Sequence, residues 1–372
     1  MSNSAIQLPS PVGTGIEDLR GGLRTRFING NFRVWQRNIT FSAPTGPVVV
    51  NTEFYTSDRW VWGFNGDGGS LTSPTSKIDR GIFVQGQTEV PGNPLLFLEW
   101  TTEILGGGGN ELSNLVQRIE QVKTLSGQKV TFSFWAKGTS SGDILVNTRQ
   151  FFGSGGSVPV QSTFIPITLT TSWKRYVVVM DLPSILGKTI GANNNHLAVK
   201  FTSILAATVA ATLGTVPVNF TGTISIAQVQ FEEGEIVDPV FETLALAQQI
   251  ILVQRYYHQS ANIGNIAPFS TALAGAIGFE ADATGFGGSA RTIMFPTKMR
   301  GGSPSISIWS FSSGVPNEAS HTGVPSPNIT VTPNLTNIPG ENGFTIDYGN
   351  PPGPIAVPNF NYNFHYVADA EV

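Results

Sequence analysis

Cysteine is absent from the 372 residues, which excludes disulfides, Cys-ligated zinc and thiol nucleophiles together. Charge is scarce: Asp, Glu, Lys and Arg make up 12 % of the chain, about half of the roughly 25 % found in an average soluble protein. No more than two Lys/Arg residues are adjacent and the net charge is −4, so no basic face for nucleic acid is expected. The longest apolar stretch, Ile204 to Val218, is broken by threonines, Gly214 and Pro217, and is too short to span a bilayer. Met1-Ser2-Asn3-Ser4 opens without a basic and then apolar leader, so no secretory signal is expected. The four histidines, His196, His258, His321 and His365, lie far apart. With no H-E-x-x-H, G-x-S-x-G or P-loop pattern, metal catalysis and nucleophile chemistry have no signature. No repeat of 20–50 residues is visible, which disfavours solenoids and propellers.

What is present is turn-formers and rings: 42 glycines, 24 prolines and 24 phenylalanines in a chain that is 40 % hydrophobic. That combination predicts a mainly β protein with a large core. Lys129 to Lys137 alternates with period two, placing Val130, Phe132, Phe134 and Ala136 on one face. Leu95–Trp100, Leu115–Val122, Asp143–Asn147, Trp173–Met180 and Leu197–Phe201 read as further strands. Ile224 and Ile226 share one phase and Val229 and Phe231 the other, which predicts a bulge between them. Short strands separated by Gly/Ser/Pro loops point to a jelly-roll β-sandwich. Thr243 to Tyr257 lacks glycine and proline and carries Leu246, Ile250, Val253 and Tyr257 at helical spacing, with Thr243 as a candidate cap. The expected organisation is an extended N-terminal docking arm over 1–27, the sandwich over 28–242, a connecting helix over 243–258, and a smaller C-terminal β domain over 259–372.

Asn29-Gly30-Asn31-Phe32-Arg33-Val34-Trp35-Gln36-Arg37, followed by Tyr55-Thr56-Ser57-Asp58-Arg59-Trp60, resembles the "NGDF-x-x-WQRG…YTADRW" opening of a family of bacteriophage tail-fibre and related virion proteins. Phe132 to Lys137 resembles the family's mid-sandwich strand, and Gln228 to Gly234 its "QLEEG" strand end. Leu246 to Tyr257 resembles its "LALCQRYY" helix, with Val253 in the Cys position, and Phe364 to Val372 its "FHWTADAEL" ending. The chain departs at Asn38, where the family has glycine, and in long loops around 150–165 and 203–220. The resemblance implies a galactose-binding-like, carbohydrate-binding-module-like jelly roll on a virus particle, often trimeric. The expected partners are other virion proteins, a homotrimer and host surface polysaccharide, with no nucleic acid and no membrane insertion.

Candidate residues follow from ring and charge chemistry. Flat rings stack on sugar C–H faces while amides and carboxylates bind hydroxyls, which makes Trp62, Trp135 and Trp309, with Asn65 and Asp67, the glycan-binding candidates. The alternative place for each ring is a core or an interface. Pro9, Pro11, Leu19 and Leu23 are the candidate virion-docking residues. Tyr362, Phe364 and Tyr366, on one face of the alternating final strand, are the candidate oligomer interface. The acidic cluster Glu232, Glu233, Glu235 and Asp238 reads as a solvated turn, with structural calcium near Glu232 and Glu233 as its metal-binding alternative. A non-enzymatic virion protein is the expectation. A tail-spike-type depolymerase with paired carboxylates is the rival.

Overall fold

The computed structural model describes residues 23–43, 46–47, 52–65, 70–71, 75–103, 111–265, 267, 275–281, 291–301, 304–321, 329–334, 340–348 and 360–371. The larger part of the chain is a jelly-roll-type sandwich of two antiparallel sheets. The six-stranded sheet runs Thr40–Ser42, Lys77–Ile82, Leu96–Thr102, Gly222–Glu233, Lys129–Gly138 and Lys174–Asp181 from edge to edge. The eight-stranded sheet runs Val160–Gln161, Gly142–Phe151, His196–Leu205, Leu112–Glu120, Trp60–Asn65 and Thr52–Tyr55. Two further strands, Ile165–Leu169 and Val218–Asn219, pair beside it.

Side-chain alternation decides what lies between the sheets. Val130, Phe132, Phe134 and Ala136 point inward from the six-stranded sheet, against Trp60, Trp62, Phe64, Leu115, Val199 and Phe201 of the other. The rings meet edge to face, with Phe134 and Phe201 at 4.8 Å and 86°. Trp62 is thus a core residue, fully buried, with its indole N–H donating to Ser113 Oγ at 3.3 Å. Its ring cannot stack on a sugar. The run Trp60-Val61-Trp62-Gly63-Phe64 is a strand, and its three large rings share the inward phase.

The bulge expected between Ile226 and Val229 is present: the ladder to Lys129–Gly138 shifts register between Ala227 and Gln230. Gln228 takes a left-handed φ of 49° there. Gly30 packs against this point. Its carbonyl accepts from Val229 N–H at 2.8 Å, and a Cβ on Gly30 would stand 2.1 Å from the Val229 carbonyl oxygen. Only glycine fits that approach.

The connecting helix spans Leu246–Gln254, three residues shorter at each end than the sequence pattern suggested. Ala245, not Thr243, is the N-cap, and its N–H is met by the Gln248 side chain at 3.2 Å. The buried face is Gln249, Leu252 and Val253, continued by Tyr256, while Leu246 is exposed. The later start rotates the stripe by about one residue. Tyr257 instead opens the strand Tyr257–Gln259. A second helix, Ala207–Leu213, fills the long loop near 203–220, burying Ala210 against Leu145, Leu205 and Val218.

In the C-terminal unit the final strand, Phe360–Asp369, pairs with four others: Tyr257–Gln259, Ile277–Ala281, Ser305–Ser310 and Glu318–His321. Both of its edges are therefore occupied. Tyr362, Phe364 and Tyr366 are buried in a core with Ile293, Met299, Ile308 and Phe344. These three aromatics are the unit's own core rather than a surface for another subunit. Alternation in the sequence marks a covered face without saying what covers it.

Leu23 also leaves its expected role in the arm. It packs on Ile28, Val34, Leu252 and Tyr256, and Arg24 N–H and Thr25 N–H both donate to Glu242 Oε2, at 3.0 and 3.1 Å. Pro9, Pro11 and Leu19 lie outside the described residues.

The two β units meet through buried ion pairs. Glu120 accepts from Arg255 at 2.8 and 3.1 Å and from the Tyr256 hydroxyl at 3.0 Å, with Arg300 at 3.9 Å. Arg59 pairs with Glu371 and stacks on Tyr256, 3.5 Å from the ring centroid. Burial would raise the Glu120 pKa, but hydrogen bonds and charge from Arg255, with help from Tyr256 and Arg300, hold it below the ordinary value.

Two outcomes follow from these contacts. Gly30→Ala should lower stability by about 1–3 kcal/mol in denaturant melts through overpacking. Arg255→Met should cost about 3–5 kcal/mol by stranding Glu120. An acid with a depressed folded pKa contributes stability that is lost as pH falls. Wild-type stability should accordingly drop below the ordinary Glu value of 4.5, and the drop should be shallower in Glu120→Gln.

Candidate functional site

Alternation sends Ser133, Trp135 and Lys137 to the outer face of the six-stranded sheet. Trp135 is half-buried there, cross-strand from Arg175. The Arg175 guanidinium donates to Asp238 Oδ1 at 2.7 Å. Trp135 lines a hollow of about 220 Å³, which shares Gly92, Gln228, Phe241 and Thr243 with a second hollow of about 310 Å³.

The bulge builds this groove. Gln228, turned by its left-handed backbone, donates to the Pro91 carbonyl at 2.7 Å and holds one wall. Gln230 donates to the Val240 carbonyl at 3.0 Å and accepts from Glu242 N–H at 2.5 Å, holding the other. Both walls are thus tied to the sheet beneath them.

Next to the groove on the same face, Trp173 contacts Phe83 at 5.3 Å and Phe97 at 5.4 Å, with Lys137 5.2 Å from its ring. Phe97 lies over Gly81, where a Cβ would come within 2.3 Å of the ring. The face therefore offers half-exposed rings beside fixed amides and an Arg–Asp pair. Such a set can stack on sugar rings and hydrogen-bond their hydroxyls.

No protein-family model matches the chain, and no curated protein sequence matches it. Among solved structures it is similar in fold to the enzymatically active domain of tailspike protein 4 from bacteriophage CBA120, at 15 % identity and a TM-score of 0.31. That match covers 47 % of this chain, which spans only 19 % of the tailspike chain. It is also similar to the family 11 carbohydrate-binding module from Clostridium thermocellum solved with a mixed-linked tetrasaccharide. There the identity is 14 % and the TM-score 0.28, over 52 % of this chain and 96 % of the module. The CBM22-1 xylan-binding domain of Paenibacillus barcinonensis Xyn10C matches at 11 % identity and a TM-score of 0.27, over 52 % and 97 %.

Of the sequence-derived glycan candidates among the described residues, Trp135 alone lines the groove. Trp309 sits half-buried against Tyr257, Ala261 and Val367 in the C-terminal unit. Asn65 ends the Trp60–Asn65 strand on the other sheet, and Asp67 lies outside the described residues. Phe83, Phe97, Trp173, Arg175 and Phe241 were missed because tertiary folding, not sequence spacing, brings them together: Phe97 and Arg175 lie in strands, while Phe83, Trp173 and Phe241 lie just outside them.

The acidic cluster is dispersed. Glu232 is buried, 3.7 Å from Arg24, and burial raises its pKa. Glu233 faces Arg26 at 3.9 Å, Glu235 faces Lys129 at 3.2 Å, and Asp238 is held by Arg175. Each acid has its own cation. Glu232 differs from the solvated turn expected of it, because the strand continues inward to Glu233. Among the described residues no group of three or more His, Asp or Glu could hold a metal.

A larger cleft of about 930 Å³ opens where the two β units meet, lined by Glu120, Lys123, Asn193, Asn194, Asp369 and Glu371 among others. Its carboxylates are all engaged: Glu120 by Arg255, Asp369 by Arg37 at 3.2 Å, and Glu371 by Arg59.

Proposed function

We propose that the protein is a fibre- or spike-type component of a phage particle that binds host surface glycan through the Trp135 groove. The observation that carries this reading is the groove itself, with an indole and neighbouring rings over amides anchored by the bulge. The resemblance of five ordered segments to tail-fibre and virion proteins supports the particle assignment. The N-terminal arm expected over residues 1–27 docks the protein on the particle, apart from Leu23 to Phe27, which pack on the fold. The protein assembles as a homotrimer through surfaces other than the buried Tyr362, Phe364 and Tyr366. Binding at one open groove is weak, and several copies on one particle supply avidity.

The depolymerase reading asks more of the site. A glycosidase needs one carboxyl group held protonated beside its substrate and a second, ionised one nearby. In the cleft where the two β units meet, Glu120, Asp369 and Glu371 are each paired with an arginine, and, against burial, Arg255 holds the Glu120 carboxyl below its ordinary pKa. Non-enzymatic binding is the reading that fits these pairs.

Calorimetric titration with host surface oligosaccharides tests the function. Trp135→Ala should weaken binding by about tenfold or more, the loss of roughly one stacked ring, with an unchanged melting temperature. Equal binding by wild type and variant would remove the groove from the reading. Release of oligosaccharide by purified protein would turn it to the depolymerase. Light scattering should report about three times the 39.7 kDa chain mass.

A further inference from the structure

The eight-stranded sheet has an outer face too, and its chemistry differs from that of the Trp135 groove. Register fixes its layout. Arg149 lies opposite Ala198, which lies opposite Arg118, while Asn147 lies opposite Lys200, which lies opposite Val116 and then Val61. These residues alternate with Val146, Leu115 and Val199 of the core and so share the outward phase. Val61, Val116 and Ala198 form a buried apolar floor, flanked by Tyr55 and Phe151.

Three cations stand over this floor. Arg118 is matched, with Glu53 at 2.6 Å and the Tyr55 hydroxyl at 3.4 Å. Arg149 and Lys200 have no carboxylate within ion-pair distance among the described residues. Their contacts are with the Phe151 ring, at 4.8 and 5.7 Å from its centroid. Burial, with the charges of Arg149 and Arg118, lowers the Lys200 pKa to about 8, and burial lowers that of Arg149. Beside Lys200, Asn147 is fully buried and its side-chain carbonyl oxygen has no hydrogen-bond partner among the described residues. His196, stacked on Phe151 at 4.6 Å, is held neutral by burial, its pKa lowered to about 3. The face therefore carries an excess of positive charge on a chain whose net charge is −4.

Holding two cations partly out of water without counter-ions is unfavourable unless an anion joins them. We propose that this face is a second binding site, for a carboxylate-bearing polysaccharide. Arg149 and Lys200 take the carboxylates, and Asn147 accepts a hydroxyl. The partly exposed rings of Tyr55 and Phe151 flank the C–H side of the sugar. The occupant is a sugar acid rather than a bare anion because the face offers an unmet acceptor and aromatic walls as well as charge. The choice of a polysaccharide rests on the glycan-binding reading, whereas the choice of an acidic one rests on the cations alone.

The test uses the full chain, a short oligogalacturonate, a neutral galacto-oligosaccharide of equal length and poly-glutamate. Oligogalacturonate should bind, more weakly as salt rises. Lys200→Met and Arg149→Met should each reduce that binding tenfold or more and raise the melting temperature, since each removes an unmatched cation. A merely structural role would lower it. Trp135→Ala should leave oligogalacturonate binding unchanged, and the two cation variants should leave neutral binding at the groove unchanged, so the sites fail separately. Absence of oligogalacturonate binding at millimolar concentration overturns the proposal, as does equal binding by the Lys200→Met, Arg149→Met double variant. Poly-glutamate binding as tightly as oligogalacturonate would also overturn it, in favour of an acidic peptide. In each case the Trp135 groove would be untouched.

Discussion

The guanidinium of Arg59 holds together four stretches of chain that are remote in sequence. It follows Asp58 in a turn where its backbone is left-handed, with φ 74°, and it is almost fully buried. One nitrogen meets Glu371, the other meets the Arg118 carbonyl, and the plane lies on Tyr256. Arg37 repeats the arrangement one layer out, 3.7 Å over the Tyr257 ring and within reach of Asp58, Asp369 and Glu371. Pairs this deep gain little net stability over apolar packing, because desolvation offsets their attraction. What they do is fix geometry. A misplaced C-terminal strand would leave arginines buried without partners, so one docking of the small unit on the sandwich is selected. The segments carrying the resemblance to virion proteins supply these residues: Arg37, Asp58, Arg59, Arg255, Tyr256, Tyr257, Asp369 and Glu371. Their chemistry is that of a joint.

The same economy of motif governs the groove. Asn29 donates from its side chain to the Val34 and Asp58 carbonyls and accepts from Val34 N–H, which closes the tight turn that brings Gly30 against Val229. That contact braces the bulge, and the bulge turns Gln228 toward Pro91. A turn motif near the start of the sandwich therefore shapes the wall of a groove at Gln228, about two hundred positions later.

Much of this was legible in the sequence wherever period two was unbroken. The strand at Lys129, the paired phases around Ala227 and the alternating final strand all carried their own evidence. Burial was less legible than phase. Tyr362, Phe364 and Tyr366 were placed on one face but given the wrong neighbours, and Trp62, whose two readings were a sugar site and a core, lies in the core, because a ring bound for a core and a ring bound for a sugar look alike in one dimension. Glu232 escaped for a related reason, since its cation, Arg24, stands more than two hundred residues away. The Trp173 platform had one local sign, Gly81, a strand glycine that marks a close approach. Arg149 and Lys200 had none. Only the register of Gly142–Phe151 against His196–Leu205 sets them together.

The two outer faces of a sandwich point in opposite directions, with sheets stacked about 10 Å apart between them. One extended polysaccharide cannot lie along both. If each face binds as proposed, a single protein engages two different chains, or a neutral stretch of one chain and an acidic stretch of its neighbour. Open faces of this kind exclude little water and order few groups of the ligand, so each contact stays weak and exchanges quickly. The useful quantity is then effective concentration: a second face roughly doubles the contacts a copy can make within one dense glycan layer, without any one of them becoming slow to release. Both faces belong to one sandwich, so its packed core, rather than the joint at Arg59, fixes the angle at which they are presented together.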